Sequence, residues 1–453
     1  MKNRLNRRDF LKQSLTSGIG SSSLMGILGS LSELEAAEVD GEYKAIVCVL
    51  LEGGADVFNM VVPINDDAYV AYRDVRKELA LSKGSLLPIN DTYGLRDNMT
   101  RMQKLFETKK LALIANVGTL VKPTTLQEIN NGSAILPNQL FAHNTQRDLW
   151  MLGSAKDVLR NGWAARVGDA FYSSPNPYFN VTVGGNNLMQ LGGKSKAIRF
   201  DEAYISPNTM RYYGFGPESG GEKLGNVYQD IYELNQNNNN KLMAVFTKER
   251  IENLKQQELL GGTLFNGVES FDGFSIGVHE TGKSLGKQLE IVAKILSVKD
   301  NFPGQKKRQI FFVNHHGWDT HDSDNEHQVG YLSESLGAFQ DALEKMGISE
   351  DVTTFTISDF GRSLSPNGAG TDHGWGSHAF VMGGAVNGGN IYGTMPNLAP
   401  SSPDAWNDRI IPTTATESYL ATIVKWFGAT EVELHTLFPN LQTFDNSDMK
   451  FMS

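Results

Sequence analysis

Cysteine is nearly missing from this chain of 453 residues: Cys48 is the only one. A lone thiol excludes intramolecular disulfides and cages of thiolates around zinc. Basic residues are outnumbered by acidic ones, 41 against 51, for a formal charge of -10, and no basic stripe lies beyond the first residues. That balance argues against a general nucleic-acid binder. The first apolar stretch, Ser14 to Leu31, is interrupted by serines and glycines too often for a transmembrane helix. Missing as well are a Gly-Lys-Ser/Thr phosphate loop, a dinucleotide fingerprint after the first strand-like run, and any repeat of solenoid period. Without those fingerprints or further cysteines, an oxidoreductase subunit is a weak reading.

What is present begins with the N-terminus. Asn6-Arg7-Arg8-Asp9-Phe10-Leu11-Lys12 precedes the Ser/Gly-rich stretch, and Ala36-Ala37 supply small residues for cleavage. This resembles a twin-arginine export signal, with Asn6 where Ser or Thr is usual. The alternative, a basic amphipathic helix, is opposed by Gly18, Gly20, Gly26 and Gly29. Residues 1–37 are therefore expected to be a signal segment read by the twin-arginine machinery, with a periplasmic or otherwise exported remainder over 38–453 and no transmembrane helix once the signal is removed.

From Lys44 the pattern becomes strand, glycine turn, helix. Ala45 to Leu51 is a continuous Val/Ile/Leu-rich run, as in a strand buried on both faces, and Glu52-Gly53-Gly54-Ala55-Asp56 closes it. Arg96 to Thr108 has helical spacing, and Leu111 to Val117 reads as the next strand. Ile310 to Val313 and Val352 to Ile357 repeat the theme around the amphipathic stretch Asn325 to Met346. Phe380 to Met382 is a short strand and Thr416 to Trp426 a closing helix. The alternation predicts an α/β fold, one doubly wound and mostly parallel sheet flanked by helices, with ligands at the carboxyl ends of the strands. Residues 185–285, rich in Gly, Asn, Tyr and Gln and with a helical pattern over Leu242 to Leu260, read as an inserted cap.

Chemistry concentrates in the loops. Six of the nine histidines lie between positions 315 and 378, five of them in His315-His316-Gly317-Trp318-Asp319-Thr320-His321 and in Thr371-Asp372-His373-Gly374-Trp375-Gly376-Ser377-His378, with His327 set aside. Imidazole and carboxylate together are ligands for a divalent metal ion, with zinc, manganese and calcium as candidates. Asp56 and Asn59 leave the first strand; His143-Asn144-Thr145-Gln146 opens a helix; Asp359 and Arg362 follow a late strand. A metal held by such groups polarises an ester oxygen or activates water, and Arg362 suits a small anionic ester. Each group also has a purely structural reading. Asp56 and Asn59 cap turns well, His143 could be satisfied in the core by Gln146, and Arg362 could pair with Asp359.

The ordered set Leu51-Glu-Gly-Gly-Ala-Asp-Val-Phe-Asn-Met-Val-Val-Pro63, Ala115 to Gly118, His143 to Gln146, Gly317-Trp-Asp-Thr-His321, Ser358-Asp-Phe-Gly-Arg362, Thr371-Asp-His-Gly374 and Val381 to Gly384 resembles a twin-arginine-exported bacterial family of unknown function, DUF1501. That family is itself similar to the alkaline phosphatase and sulfatase superfamily. The resemblance runs from about residue 44 to 430. It implies an alkaline-phosphatase-like fold whose sheet carries two metals and a nucleophile at a helix N-terminus. Carried over motif by motif, it implies Asp56, Asp319, His321, Asp359 and His373 as metal ligands and Thr145 as the nearest nucleophile; beside these, the residues themselves offer His143 and Arg362 as catalytic groups, Arg362 to hold the anion. His315, His316 and His378 fall to outer or pocket positions.

The sequence departs from the superfamily in having Asp359-Phe360-Gly361 where Asp-His-Gly is common, and it has no Cys-x-Pro-x-Arg or Ser-x-Pro-x-Arg activation motif. The expectation is an exported metal-dependent hydrolase of phosphate or sulfate esters. The alternative is a non-catalytic exported binding or assembly protein that keeps the fold and at most one structural metal.

Overall fold

The computed structural model describes residues 42–156, 159–200, 234–235, 237, 239–248, 251, 285–301, 307–399, 401–445 and 448–453. The signal segment and most of the proposed cap lie outside these residues; of the helical pattern read over Leu242 to Leu260, residues 241–248 are helical.

The apolar runs read as buried strands pair into one nine-stranded sheet. In chain order its strands are β1 (Lys44–Leu51), β2 (Leu111–Gly118), β3 (Asn180–Thr182), β4 (Ile198–Arg199), β5 (Arg308–His315), β6 (Val352–Ser358), β7 (Ser377–Met382), β8 (Ile391–Tyr392) and β9 (Thr414–Ala415). Their spatial order is β8-β2-β7-β6-β1-β5-β3-β4, with β9 also on β2. Only β7 runs antiparallel to its neighbours; the other pairings are parallel. A mostly parallel sheet must be covered on both faces, because each strand sends successive side chains to opposite sides.

Helices α1 (Asp66–Arg76), α2 (Thr100–Glu107), α3 (His143–Leu152), α4 (Trp163–Phe171), α5 (Leu285–Ser297), α6 (Glu326–Lys345), α7 (Thr416–Phe427) and α8 (Glu431–Leu437) provide that cover. Alternation along β1 shows the division of labour. Ala45, Val47, Val49 and Leu51 pack in one core with Met102 of α2, Leu289 of α5 and Leu336 and Phe339 of α6. Ile46, Cys48 and Leu50 pack in a second core with Trp163 and Val167 of α4 and Leu420, Ile423 and Val424 of α7. The doubly wound α/β class expected from the sequence is the one observed. Cys48 sits inside the second core, fully buried and unpaired. Among the described residues no helix is long and apolar enough to cross a membrane.

The register places three strand tips side by side. Leu51, at the end of β1, is opposite His315 of β5 and Ser358 of β6. The loops that leave these tips, at 52–56, 316–321 and 359–361, therefore start within one strand spacing of each other. A short hairpin, Arg362–Pro366 with Thr371–His373, folds back over them.

Candidate metal centre

The tips can crowd together because glycine leads out of β1. Gly53 has a φ of +121°, and a Cβ there would stand 2.3 Å from the Asp319 amide. Gly54, at φ +83°, lies against the Phe360 ring in the same way. Any side chain at these two positions would be strained and would push apart the loops that carry Asp319 and Asp359.

Four side chains converge above the tips. His143 comes from the first turn of α3, Asp319 and His321 from the loop after β5, and His373 from the hairpin. Nε2 of His143 lies 3.0 Å from Nε2 of His373, and Nε2 of His321 lies 3.0 Å from the same His373 atom. The Asp319 carboxylate stands 3.3 Å from His143 Nε2, 3.0 Å from His321 Nε2 and 3.4 Å from His373 Nε2. Ligands held 2.0–2.1 Å from a zinc-sized ion are about 3.3 Å apart in a tetrahedron, and the separations among His143, Asp319 and His373 match one face of it, with His321 beside His373 and Asp319.

Protonation sharpens the argument. His373 Nδ1 is 2.8 Å from the carbonyl oxygen of Phe141, which can only accept, so that nitrogen carries the proton. His143 Nδ1 is 2.8 Å from Oδ2 of Asp359 and donates to it in the same way. In the neutral rings both Nε2 atoms are then bare lone pairs, and they face each other and a carboxylate at hydrogen-bonding distance. Such an arrangement repels itself unless a cation lies among the lone pairs. Burial, assisted by the nearby His143 and Arg362, holds His373 below the usual imidazole range, which keeps its ring neutral. Burial would raise Asp319, but the Arg362 guanidinium overcomes it and holds the carboxyl below its ordinary range.

Around this cluster stands a set of orienting contacts. Asp359, 1% exposed, accepts from His143 and from the Gly53 amide at 3.2 Å, so it reaches the converging nitrogens through His143. Arg362 is fully buried and sends its donors to Gly54 O at 2.9 Å, Thr371 O at 3.3 Å, Trp318 O at 3.1 Å and Asp319 Oδ1 at 2.7 Å. It ties the loop after β1 and the hairpin strand at Thr371 to the Asp319 loop and offers no open face to an anion. Phe360, 3% exposed, lies with its ring centre 4.7 Å from those of both His143 and His373.

Two other expected site residues are placed apart. Asp56 is buried in an ion pair with Arg76, whose Nε also donates to Asn59 Oδ1 and whose Nη1 donates to Ser363 O and Leu364 O. The guanidinium supplies the positive charge that this carboxylate was expected to find in a metal, and none of the four converging side chains is among its partners. Thr145 donates to Gln139 Oε1 at 2.7 Å. At about 100° per residue it lies some 200° around α3 from His143, so its hydroxyl points away from the cluster. Gln146 bonds Thr119 and the Asn138 carbonyl, which removes the reading of His143 as a core histidine satisfied by that amide.

Two basic groups near the cluster were not singled out from the sequence. Arg147, one turn beyond His143, pairs with Glu52, which also receives Asn314 at 2.7 Å and His316 at 2.5 Å. The His316 hydrogen bond, more than any other contact, pulls the Glu52 carboxyl down to about 2. Arg409 donates to the His373 carbonyl at 2.7 Å and lies over Phe141. The signal for Arg147 was its four-residue offset from His143; Arg409 has no local motif.

Residues 304–408 match the family described as protein of unknown function, DUF1501, the family that the motifs resembled. No curated protein matches the sequence. Among solved structures, the chain is similar to a protein in the alkaline phosphatase superfamily from Vibrio parahaemolyticus, at 11% identity over 91% of this chain and 76% of that one, with a TM-score of 0.34. It is similar to the PsFucS1 sulfatase from Pseudoalteromonas sp., at 10% identity over 95% and 78%, TM-score 0.34. A third is the C-terminal periplasmic domain of EcEptC from Escherichia coli in complex with Zn, at 10% identity over 86% and 84%, TM-score 0.34. At such identities and scores the likeness carries no argument about activity.

Proposed function

We propose that this chain is an exported metal-dependent hydrolase of phosphate or sulfate esters, with one divalent ion held by His143, His321, His373 and Asp319. The observation that carries the proposal is the convergence of His143, His373 and Asp319 at 3.0–3.4 Å, with His321 Nε2 3.0 Å from both His373 and Asp319. Hydrogen bonds from Nδ1 to Asp359 and Phe141 leave the His143 and His373 lone pairs inward. When bound, a divalent ion supplies a Lewis acid that polarises an ester oxygen and favours ionised water.

The chain's own residues do the rest. Asp359 holds the Nδ1 proton of His143, the Phe141 carbonyl holds that of His373, and Arg362 keeps Asp319 aimed inward and ionised. His321, with its side chain 44% exposed against 28% for His143 and 24% for His373, is the group able to swing aside for an incoming ester. Arg147, paired with Glu52, and Arg409, bonded to the His373 carbonyl, would have to release those partners to hold an anion in place of Arg362. Asp56 and Arg76 brace the β1 tip. Export by the twin-arginine route rests on Arg7-Arg8 and the stretch after it.

A second reading has specific support: a non-catalytic exported binding protein with one structural metal. His321 stands beside the three groups His143, Asp319 and His373 and would close the fourth position if it joined them, Thr145 faces away, and structural sites are characteristically closed in this way. A panel of aryl phosphates, phosphodiesters and aryl sulfates, assayed with manganese, zinc and calcium, separates the two. Turnover that is lost in Asp319→Ala supports the hydrolase. Stoichiometric metal binding without turnover on any ester overturns it in favour of the binder.

A further inference from the structure

Of the three converging imidazoles, His321 has the least behind it. His143 and His373 are fixed by acceptors 2.8 Å from their Nδ1 atoms, Asp359 and the Phe141 carbonyl. His321 has its side chain 44% exposed, and its Nδ1 faces the carboxylate of Asp372, with Oδ1 at 3.6 Å. That separation is beyond a hydrogen bond and within ion-pair reach; an approach of about 0.7 Å would make it a hydrogen bond.

The fold keeps this carboxylate beside the ring. Asp372 lies in the hairpin strand Thr371–His373, next to His373 itself. Its amide donates to Ser363 Oγ at 3.0 Å, and Asn367 Nδ2 donates at 2.5 Å to its Oδ1, the same oxygen that faces His321. The Thr371 amide donates to Thr320 O at 3.2 Å, and a Cβ on Gly370 would stand 2.4 Å from the His321 carbonyl carbon. The hairpin is thus pressed against the backbone that carries His321.

The position of the ring proton follows from this neighbour. A bare Nδ1 lone pair aimed at a carboxylate is repelled by it, whereas an Nδ1–H is attracted. With the proton on Nδ1, the neutral ring presents Nε2 as a lone pair, and that atom lies 3.0 Å from both His373 Nε2 and Asp319 Oδ1. We propose that Asp372 is the positioning residue for His321: it holds the Nδ1 proton, turns Nε2 toward Asp319 and His373, and so decides whether His321 joins His143, Asp319 and His373 on the divalent ion. This role rests on the metal-binding reading of the cluster, and it is the one that Asp359 plays for His143. Both side chains are about half exposed, so water competes for the contact and its contribution is modest.

The test uses the full chain labelled with nitrogen-15, ion-free and loaded with zinc, at a pH where the ring is neutral. Two-bond proton–nitrogen correlations report which nitrogen of His321 carries the proton, and competition with a chromophoric chelator reports zinc affinity. In the parent the proton is expected on Nδ1. Asp372→Ala should shift the ion-free ring toward the Nε2–H form and weaken zinc about tenfold, whereas Asp372→Asn, whose amide oxygen still accepts, should keep the tautomer and lie within about threefold of the parent. Asn367→Ala, which frees the carboxylate without removing it, should weaken zinc by a smaller factor than Asp372→Ala. An Nε2–H ring in the parent, an unmoved tautomer or unchanged zinc affinity in Asp372→Ala, or a loss in Asp372→Asn equal to that in Asp372→Ala would each overturn the role. A parent chain that takes up no zinc would overturn the metal reading instead, and the tautomer of the ion-free ring would then decide the role of Asp372 by itself.

Discussion

Asp56 and Asp319 stand on neighbouring strand-tip loops and carry the same functional group, yet the fold gives them opposite settings. Asp56, 5% exposed, has a cation of its own, the fully buried Arg76 guanidinium delivered by α1. Asp319 also touches an arginine, but it faces three imidazole nitrogens, two of them fixed as lone pairs by the partners behind them. One carboxylate has its charge matched by a buried guanidinium at Oδ2, with Oδ1 left unpartnered, and the other faces bare imidazole nitrogens. The lesson is that an aspartate at the end of a parallel strand is not a metal ligand by position. The groups packed against it decide.

The comparison can be broken most severely at the Asp319 end. Asp319→Ala or His373→Ala should abolish stoichiometric divalent-ion binding, measured by elemental analysis after dialysis, while chemical denaturation still shows a folded chain. Retention of the ion in both variants would remove the cluster from the account. At the Asp56 end, Arg76→Met leaves the carboxylate buried and unpaired, for which the expected cost is about 3–5 kcal/mol of stability in urea unfolding. The ion should still bind; if it is lost instead, the two ends are coupled and the contrast fails.

Asp359→Asn tests the orienting layer. Removing the carboxylate behind His143 should weaken ion affinity about 10–100-fold without destroying the site, as read by competition with a chromophoric chelator. An unchanged affinity would mean that His143 is positioned by packing alone. The smallest effect concerns His315, 6% exposed at the tip of β5 and held by burial down to about 3. The unfolded chain takes up this proton below about pH 6.5 while the folded protein refuses it until about 3, so stability is lost as pH falls through that window. His315→Phe should flatten the stability–pH slope there by up to about 1.4 kcal/mol per pH unit. An unaltered slope would show that the folded ring is already protonated.

Much of the architecture was legible because strands buried on both faces leave long apolar runs that little else explains. β1, β2, β5 and β6 were each read within a few residues of their observed ends, and α6 and α7 likewise. Asp319, His321 and His373 were legible from density and spacing. The rest of the site was not, because its roles depend on partners that composition does not reveal. Nothing around Asp56 announces that Arg76 will reach it from a helix twenty residues later. Thr145 failed on helical phase, two residues from His143 on the wrong side of α3. Arg362 and Asp359 were recognised as important, but only the fold shows the guanidinium enclosed by carbonyls and the carboxylate set behind an imidazole. Phe360, its ring tilted against both His143 and His373, shapes the wall of the cluster, which residue type alone could not show.

The most direct measurement of the central claim is the ion count of the purified chain and of its Asp56→Asn and Asp319→Asn variants, by elemental analysis after equilibration with zinc or manganese. The predicted result is one ion in the parent chain, one in Asp56→Asn and none in Asp319→Asn. An empty parent chain, two ions, or loss of the ion in Asp56→Asn would contradict it.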